Sequence, residues 1–170
     1  VEYAKDGPED ICIRITAVNR GPETAPLHIL PTVWFRNTWS WEPDRAKGKL
    51  SVSGQAGTSA ISIEKELHCN YTLYFQDSPS ILFCENESNN RRLFNSDNRS
   101  RFAKDGINEF LVNGVADAVG TESGSKAAMH YRVDLGPGES KEVYLRLTEL
   151  PRFEGQFAEE CRSIFDQRVA

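Results

Sequence analysis

A mostly β protein, an antiparallel β-sandwich with a short C-terminal helix, is what this sequence of 170 residues predicts. Two patterns carry the expectation. Short apolar runs with period-two alternation recur along the chain. Clusters of Gly, Pro, Asn, Asp and Ser interrupt them at short intervals, and no βαβ alternation appears. A chain of this size buries roughly 70% of its unfolded surface, so it needs neither a disulfide nor a metal to fold.

The first strand is segment 10–18 (DICIRITAV), which places Ile11, Ile13 and Ile15 on one half-buried face. The NRGP at 19–22 makes a turn. The run 26–41 is extended, and Pro31 within it demands an edge position, a bulge or a break. Segments 50–54 and 59–63 are short strands. Segments 71–75 and 81–84, separated by the polar DSPS, form a hairpin-like pattern. Residues 85–101 are dense in Asn, Glu, Arg and Ser, a composition that runs over a surface. Segment 107–112 is a short helix, and 128–135 and 141–147 are strands on either side of the GPGES turn. Phe157, Cys161, Ile164 and Phe165 then recur at i, i+4, i+7 and i+8, one helical face opposite Glu159, Glu160 and Arg162.

Charge and motifs exclude several functions. The net charge is −5 and the isoelectric point about 5.3, which argues against nucleic acid and against an anionic membrane surface as partners. No apolar run approaches the ~20 residues of a membrane span, and residues 1–10 lack the apolar core of a signal peptide. Cys12, Cys69, Cys84 and Cys161 form no C-x-x-C pair, so a zinc ribbon or thioredoxin site has no support. They read as reduced core thiols of a cytoplasmic protein. His28, His68 and His130 lack metal-ligand spacing and read as structural. No metal site and no cofactor is expected. No G-x-S-x-G elbow occurs, and the stretch 120–131 fails the phosphate-loop pattern.

Three stretches could carry chemistry. The first, WFRNTWSW at 34–41, holds all three tryptophans. As a strand it projects Phe35, Asn37, Trp39 and Trp41 to one side, with Trp34 and Arg36 on the other. Indole faces suit sugar rings, and Arg and Asn suit hydroxyls, but core filling or a domain interface takes precedence for the aromatics. The second, ENESNNRRLF at 85–94, delivers amide, carboxylate and guanidinium groups at the end of an apolar run, as a hydroxyl-binding rim would. Catalysis by Glu85 or Glu87 is set aside, since no matching acid is identifiable. The third, 120–131, brings Lys126 into a strand, where an ordinary exposed lysine is the simpler reading.

These runs also carry a resemblance. PEDICIRITAVNRGPETAPLHILPTVWFRNTWSW, followed by ENESNNRRLF and SKAAMHY, is similar to the N-terminal region of bacterial glucosidases related to glycoside hydrolase family 63, which includes the processing mannosyl-oligosaccharide glucosidases. The similarity runs from about Glu2 into the terminal helix. It implies a sandwich of the super-sandwich type packed against an (α/α)6 barrel, with the two catalytic acids of an inverting α-glucosidase in the barrel. No position here matches those acids, so no catalytic residue is assigned. Residues 1–154 are then a sandwich that lacks strands preceding Val1, and 155–170 begin a linker helix toward the barrel. Both ends read as cut, because no Met precedes Val1 and the helix runs out without a stop signal.

On this reading Arg36, Asn37, Trp39, Trp41, Glu85, Asn86, Asn89, Asn90, Arg91 and Lys126 are interface or substrate-rim candidates. The expected partners are the barrel of the same parent chain and an oligosaccharide. An independent carbohydrate-binding module and a ligand-free interaction sandwich are the alternatives. Excision from a larger chain predicts an exposed apolar patch involving some tryptophans or the terminal helix, through which copies could dimerise.

Overall fold

The structure, a computed structural model, describes residues 1–42, 44–53, 59–65, 69–149 and 157–169, with 65, 69 and 169 at backbone level. The strands are β1 (Glu2–Gly7), β2 (Asp10–Val18), β3 (Ala25–Ile29), β4 (Thr32–Trp34), β5 (Lys49–Val52), β6 (Ser59–Lys65), β7 (Cys69–Phe75) and β8 (Ser80–Cys84). After them come helices α1 (Asn90–Phe94) and α2 (Gly106–Asn113), strands β9 (Ser123–Gly124), β10 (Lys126–Leu135) and β11 (Ser140–Thr148), and helix α3 (Phe157–Val169). One sheet has seven strands in the order β1-β2-β11-β7-β6-β5-β9. The second is built on β10, with β3 and β4 on one side and β8 on the other. All strand pairs are antiparallel, so the predicted mostly β sandwich with a C-terminal helix is the fold.

Alternation decides which residues meet between the sheets. Leu50, Ile61, Ile63, Leu73, Phe75, Val143 and Leu145 from the large sheet pack on Ile29, Phe83, Ala127, Met129 and Tyr131 from the small one. Ile13 and Ile15 of β2 extend this layer, as their period predicts. Between β2 and the β3–β4 edge the layer opens into an apolar groove of about 560 Å³. The outer faces are covered too. Phe157, Cys161, Ile164 and Phe165 lay the apolar side of α3 on Ala4, Cys12, Tyr74 and Tyr144. Ile107 of α2 packs on Leu82, Cys84 and Ala128 behind the small sheet. Cys12, Cys84 and Cys161 are free and buried, as expected of small apolar residues. The side chain of Cys69 and the whole of His68 lie outside the described residues.

Pro31 breaks a strand without shifting it. β3 pairs Ile29 with Tyr131 and β4 pairs Thr32 with Ala128, the same register. Between them the Met129 amide donates to the Pro31 carbonyl at 3.0 Å. Proline lacks the amide to complete the ladder, so the predicted interruption falls there.

Two expectations are corrected. Strands β7 and β8 are not a hairpin. β7 lies between β6 and β11 in the large sheet, while β8 pairs with β10 in the small one. With both edges of β7 occupied, β8 has no place beside it. Leu82, Phe83 and Cys84 are buried in succession, so this part of β8 is covered on both faces. The connection crosses between sheets through Asp77 at φ 61, which Lys141 holds at 2.9 Å. The extended run 26–41 also stops early, at Trp34. The Asn37 side chain accepts from the Ser40 amide at 3.1 Å, and the Trp41 amide donates to the Thr38 carbonyl at 3.2 Å. That local turn competes with the strand, so Phe35, Asn37, Trp39 and Trp41 do not line one strand face.

Under α3 lies a buried guanidinium. Arg146 of β11 is 3% exposed. It donates twice to Asp10, at 2.8 and 2.7 Å, once to Asp6 at 2.9 Å and once to Glu160 at 3.1 Å. The Thr148 hydroxyl donates to Asp10 at 3.2 Å. One cation thus joins β1, β2, β11 and α3, and the Asp10 hydrogen bonds raise its pKa despite burial. Arg146→Met is expected to lose about 3–5 kcal/mol, because Asp10 would keep a buried, unmatched charge. Lys141→Ala, at an exposed pair, should lose no more than ~1 kcal/mol. Urea unfolding midpoints read both, and equal losses would contradict the account.

Candidate functional site

At one end of the sandwich three segments leave the sheets side by side. Trp34, Lys126 and Cys84 are neighbours across β4, β10 and β8. The chain therefore converges here just after Trp34, just after Cys84 and just before Lys126. Ser125 is the corner where the chain passes from β9 in the large sheet to β10 in the small one, and it is 1% exposed. Its hydroxyl donates to Glu85 at 2.6 Å and accepts from the Asn86 amide at 2.9 Å. The Asn86 side chain donates to the Phe35 carbonyl at 2.9 Å, and the Phe35 amide donates to the Ser125 carbonyl at 3.0 Å. Gly124 beside it admits no side chain, since a Cβ there would stand 2.5 Å from the Cys84 carbonyl oxygen.

This scaffold carries Glu87 inward. The side chain is only 9% exposed. Its Oε1 accepts from Trp39 Nε1 and from Lys47 Nζ, each at 2.9 Å. Lys47 Nζ also lies 3.3 Å from Glu85 Oε2 and 5.8 Å from the centre of the Trp39 ring. Burial pushes the Glu87 pKa up, but Lys47 and Trp39, with the Ser100 hydroxyl nearby, outweigh it and hold the carboxyl below its ordinary value. Burial pushes the Lys47 pKa down, and the two carboxylates more than offset that. Glu87 thus stays ionised at neutral pH, an acceptor of hydrogen bonds and not a proton donor. Trp39, Ser40, Arg45, Lys47, Glu87 and Arg99 line a cleft of about 450 Å³.

The sequence-derived candidates divide. Trp39, Glu85 and Asn86 belong to this cluster. Lys126 stands beside it, with its Nζ given to the Lys104 carbonyl at 3.0 Å. Arg36 stacks on Trp41 at 5.1 Å, both on the surface, and Asn37 makes the turn that ends the strand. Asn89 caps α1 by accepting from the Arg92 amide at 3.1 Å and donates to Asp105 at 3.2 Å. Arg91 is exposed and lines a separate hollow with Asp97 and Asn98. Asn90 is half-buried at the start of α1. Glu87, Lys47 and Ser125 complete the cluster although they were not among the candidates. The surface reading of 85–101 fails at Glu87, which the Trp39 and Lys47 contacts draw under cover. His28 and His130, 102 positions apart, stack with a ring-nitrogen separation of 2.8 Å. Among the described residues no group of three His, Cys, Asp or Glu side chains is placed to hold a metal.

Fold and site define a two-sheet module with a preorganised polar cleft at one end. No family model matches the chain. It is similar to the uncharacterized protein YMR196W of Saccharomyces cerevisiae, 32% identical over 179 residues that cover 89% of this chain. The match spans 16% of the yeast protein, so this chain covers a small part of that relative's length.

The Glu87 charge links site to stability. Its folded pKa is depressed, so its contribution is present above the unfolded carboxyl value of about 4.3 and fades as pH falls through the folded value. Wild type and Glu87→Gln should differ most in urea midpoint at neutral pH, and the gap should close in acid. A gap that widens as pH falls would contradict the ion-paired assignment.

Proposed function

We propose that this chain is the non-catalytic β-sandwich of a carbohydrate-processing glycoside hydrolase, a glucosidase of the family 63 kind. It supports and docks the (α/α)6 catalytic barrel of its parent chain and lends a rim to the sugar site. The observation that carries the reading is that exposed tryptophans stand on the same segment as Trp39 of the cleft. Trp34 and Trp41, 56% and 63% exposed, flank Trp39 in sequence. Leu93 and Phe94, 59% and 69% exposed, lie beyond Glu87 on α1. Apolar surface around a polar cleft suits an interface with a larger sugar-binding domain. The great length of the yeast relative accords with a module inside a longer chain. Glu85 and Glu87 share one lysine, which suits positioning and hydroxyl recognition better than acid–base work.

Exposed tryptophans are the kind of apolar surface that excision would leave. The apolar face of α3 is instead spent on the large sheet. Because Trp34 and Trp41 stand free of the core, Trp34→Ser with Trp41→Ser should change the isolated chain's stability by no more than ~0.5 kcal/mol. In the full parent the same pair should lower the melting temperature and the α-glucosidase kcat/KM. A parent unaffected by the pair, and equally active after deletion of residues 1–170, would contradict the docking role.

A further inference from the structure

The small sheet has an open edge. The Met129 amide donates to the Pro31 carbonyl and the Phe35 amide to the Ser125 carbonyl, both at 3.0 Å and in one register with β3 and β4. In an antiparallel pair, bonded residues alternate with residues whose N–H and C=O point away. Leu27, Ile29, Pro31 and Val33 therefore turn their backbones to β10, and His28, Leu30 and Thr32 turn theirs outward. The Leu30 carbonyl accepts from the Thr32 hydroxyl at 2.9 Å. The three outward amides face no strand among the described residues, since β3 and β4 pair with β10 alone.

This edge opens onto the apolar groove between the sheets. His28, Leu30 and Thr32 line it together with Ile13, Ile15 and Ala17 of β2. Those three β2 side chains are only half-buried. Val1 and Tyr3 of the same lining are 73% and 70% exposed. Half-buried apolar side chains beside a row of open amides call for apolar cover and backbone partners at once. An extended segment supplies both, because alternate side chains enter the groove while its backbone continues the ladder. A small apolar ligand would fill the groove and leave the amides unmatched. A second copy would bring its own β3–β4 edge, whose inward Leu27, Ile29 and Val33 are already packed in its own core. A longer parent has other chain to offer. The match covers 16% of the yeast relative, so most of that protein lies outside it. Val1 lines the groove, so whatever a parent chain joins to its amino group stands there.

We propose that a further β-strand of the parent chain, from outside residues 1–170, lies in this groove and pairs with the β3–β4 edge. The inference rests on the reading of this chain as a module of a longer protein, and it gives the two a second seam. Alternate residues of that strand are apolar and cover Ile13, Ile15 and Ala17. Its backbone carbonyls accept from the amides of His28, Leu30 and Thr32.

The test is hydrogen exchange read at single amides by mass spectrometry, on the isolated chain and on the full parent. In the isolated chain His28, Leu30 and Thr32 should exchange close to the unprotected rate. Leu27 and Ile29, bonded to β10, should exchange slowly beside them. In the parent the three outward amides should slow by at least about 100-fold, whatever the protein concentration. Equal rates in parent and isolated chain overturn the proposal. So does protection of the three amides in the isolated chain, which would mean that this chain closes its own edge. Protection there that grows with concentration would hand the edge to a second copy and overturn it equally. The docking role is read separately, from Trp34 and Trp41, and stands or falls without this result. A parent that protects the edge but is indifferent to those tryptophans keeps the strand and loses the docking role.

Discussion

Arg146 is where a β-strand, a β-turn and a terminal helix become one object. A guanidinium this deeply buried is stable only if its donors are matched, and here Asp10, Asp6 and Glu160 match them from three elements. β11 lies between β2 and β7, so fixing it fixes the centre of the large sheet. The bidentate grip on Asp10 holds the start of β2, and Glu160 draws the N-terminal turn of α3 onto the same spot. With α3 seated, Phe157, Cys161, Ile164 and Phe165 close the outer face. The two sheets can then pack on each other from the inside.

The cleft end obeys the same rule with smaller groups. Ser125 is buried at the corner between the sheets, and its hydroxyl is matched on both sides by Glu85 and Asn86. Asn86 in turn fixes the segment after β4 through the Phe35 carbonyl. Only with these links in place can Lys47 hold Glu85 and Glu87 together and Trp39 close over them. The difference lies in exposure. Arg146 is enclosed among carboxylates under α3, whereas Lys47 and Glu87 line an open cleft.

Local patterns made much of the fold legible. The alternation of DICIRITAV and the i, i+4, i+7, i+8 spacing from Phe157 each found their faces, because a single element reports its own buried side. Sheet membership was less accessible. The polar DSPS looks the same in a hairpin and in a crossing between sheets, and only the unbroken burial of Leu82, Phe83 and Cys84 tells them apart. The tryptophan stretch misled for a related reason, since Asn37 turns the chain just where strand alternation would continue. At the site, Trp39, Glu85 and Asn86 were visible as polar and aromatic groups in suggestive runs. Lys47 sits in an unmarked loop between Trp41 and β5, and its role comes from two carboxylates nearly 40 positions away. Glu87 was hidden by its neighbours, because density of polar residues signals a surface while burial is decided by contacts from elsewhere in the chain.

We propose that this chain supports sugar chemistry without performing it. The most direct measurement is glucose release from maltose, nigerose and kojibiose by the purified chain alone. The account predicts no turnover, since an ion-paired, depressed Glu87 donates no proton at neutral pH. Steady glucose release that disappears in Glu87→Gln would contradict it and place an active site in the cleft itself.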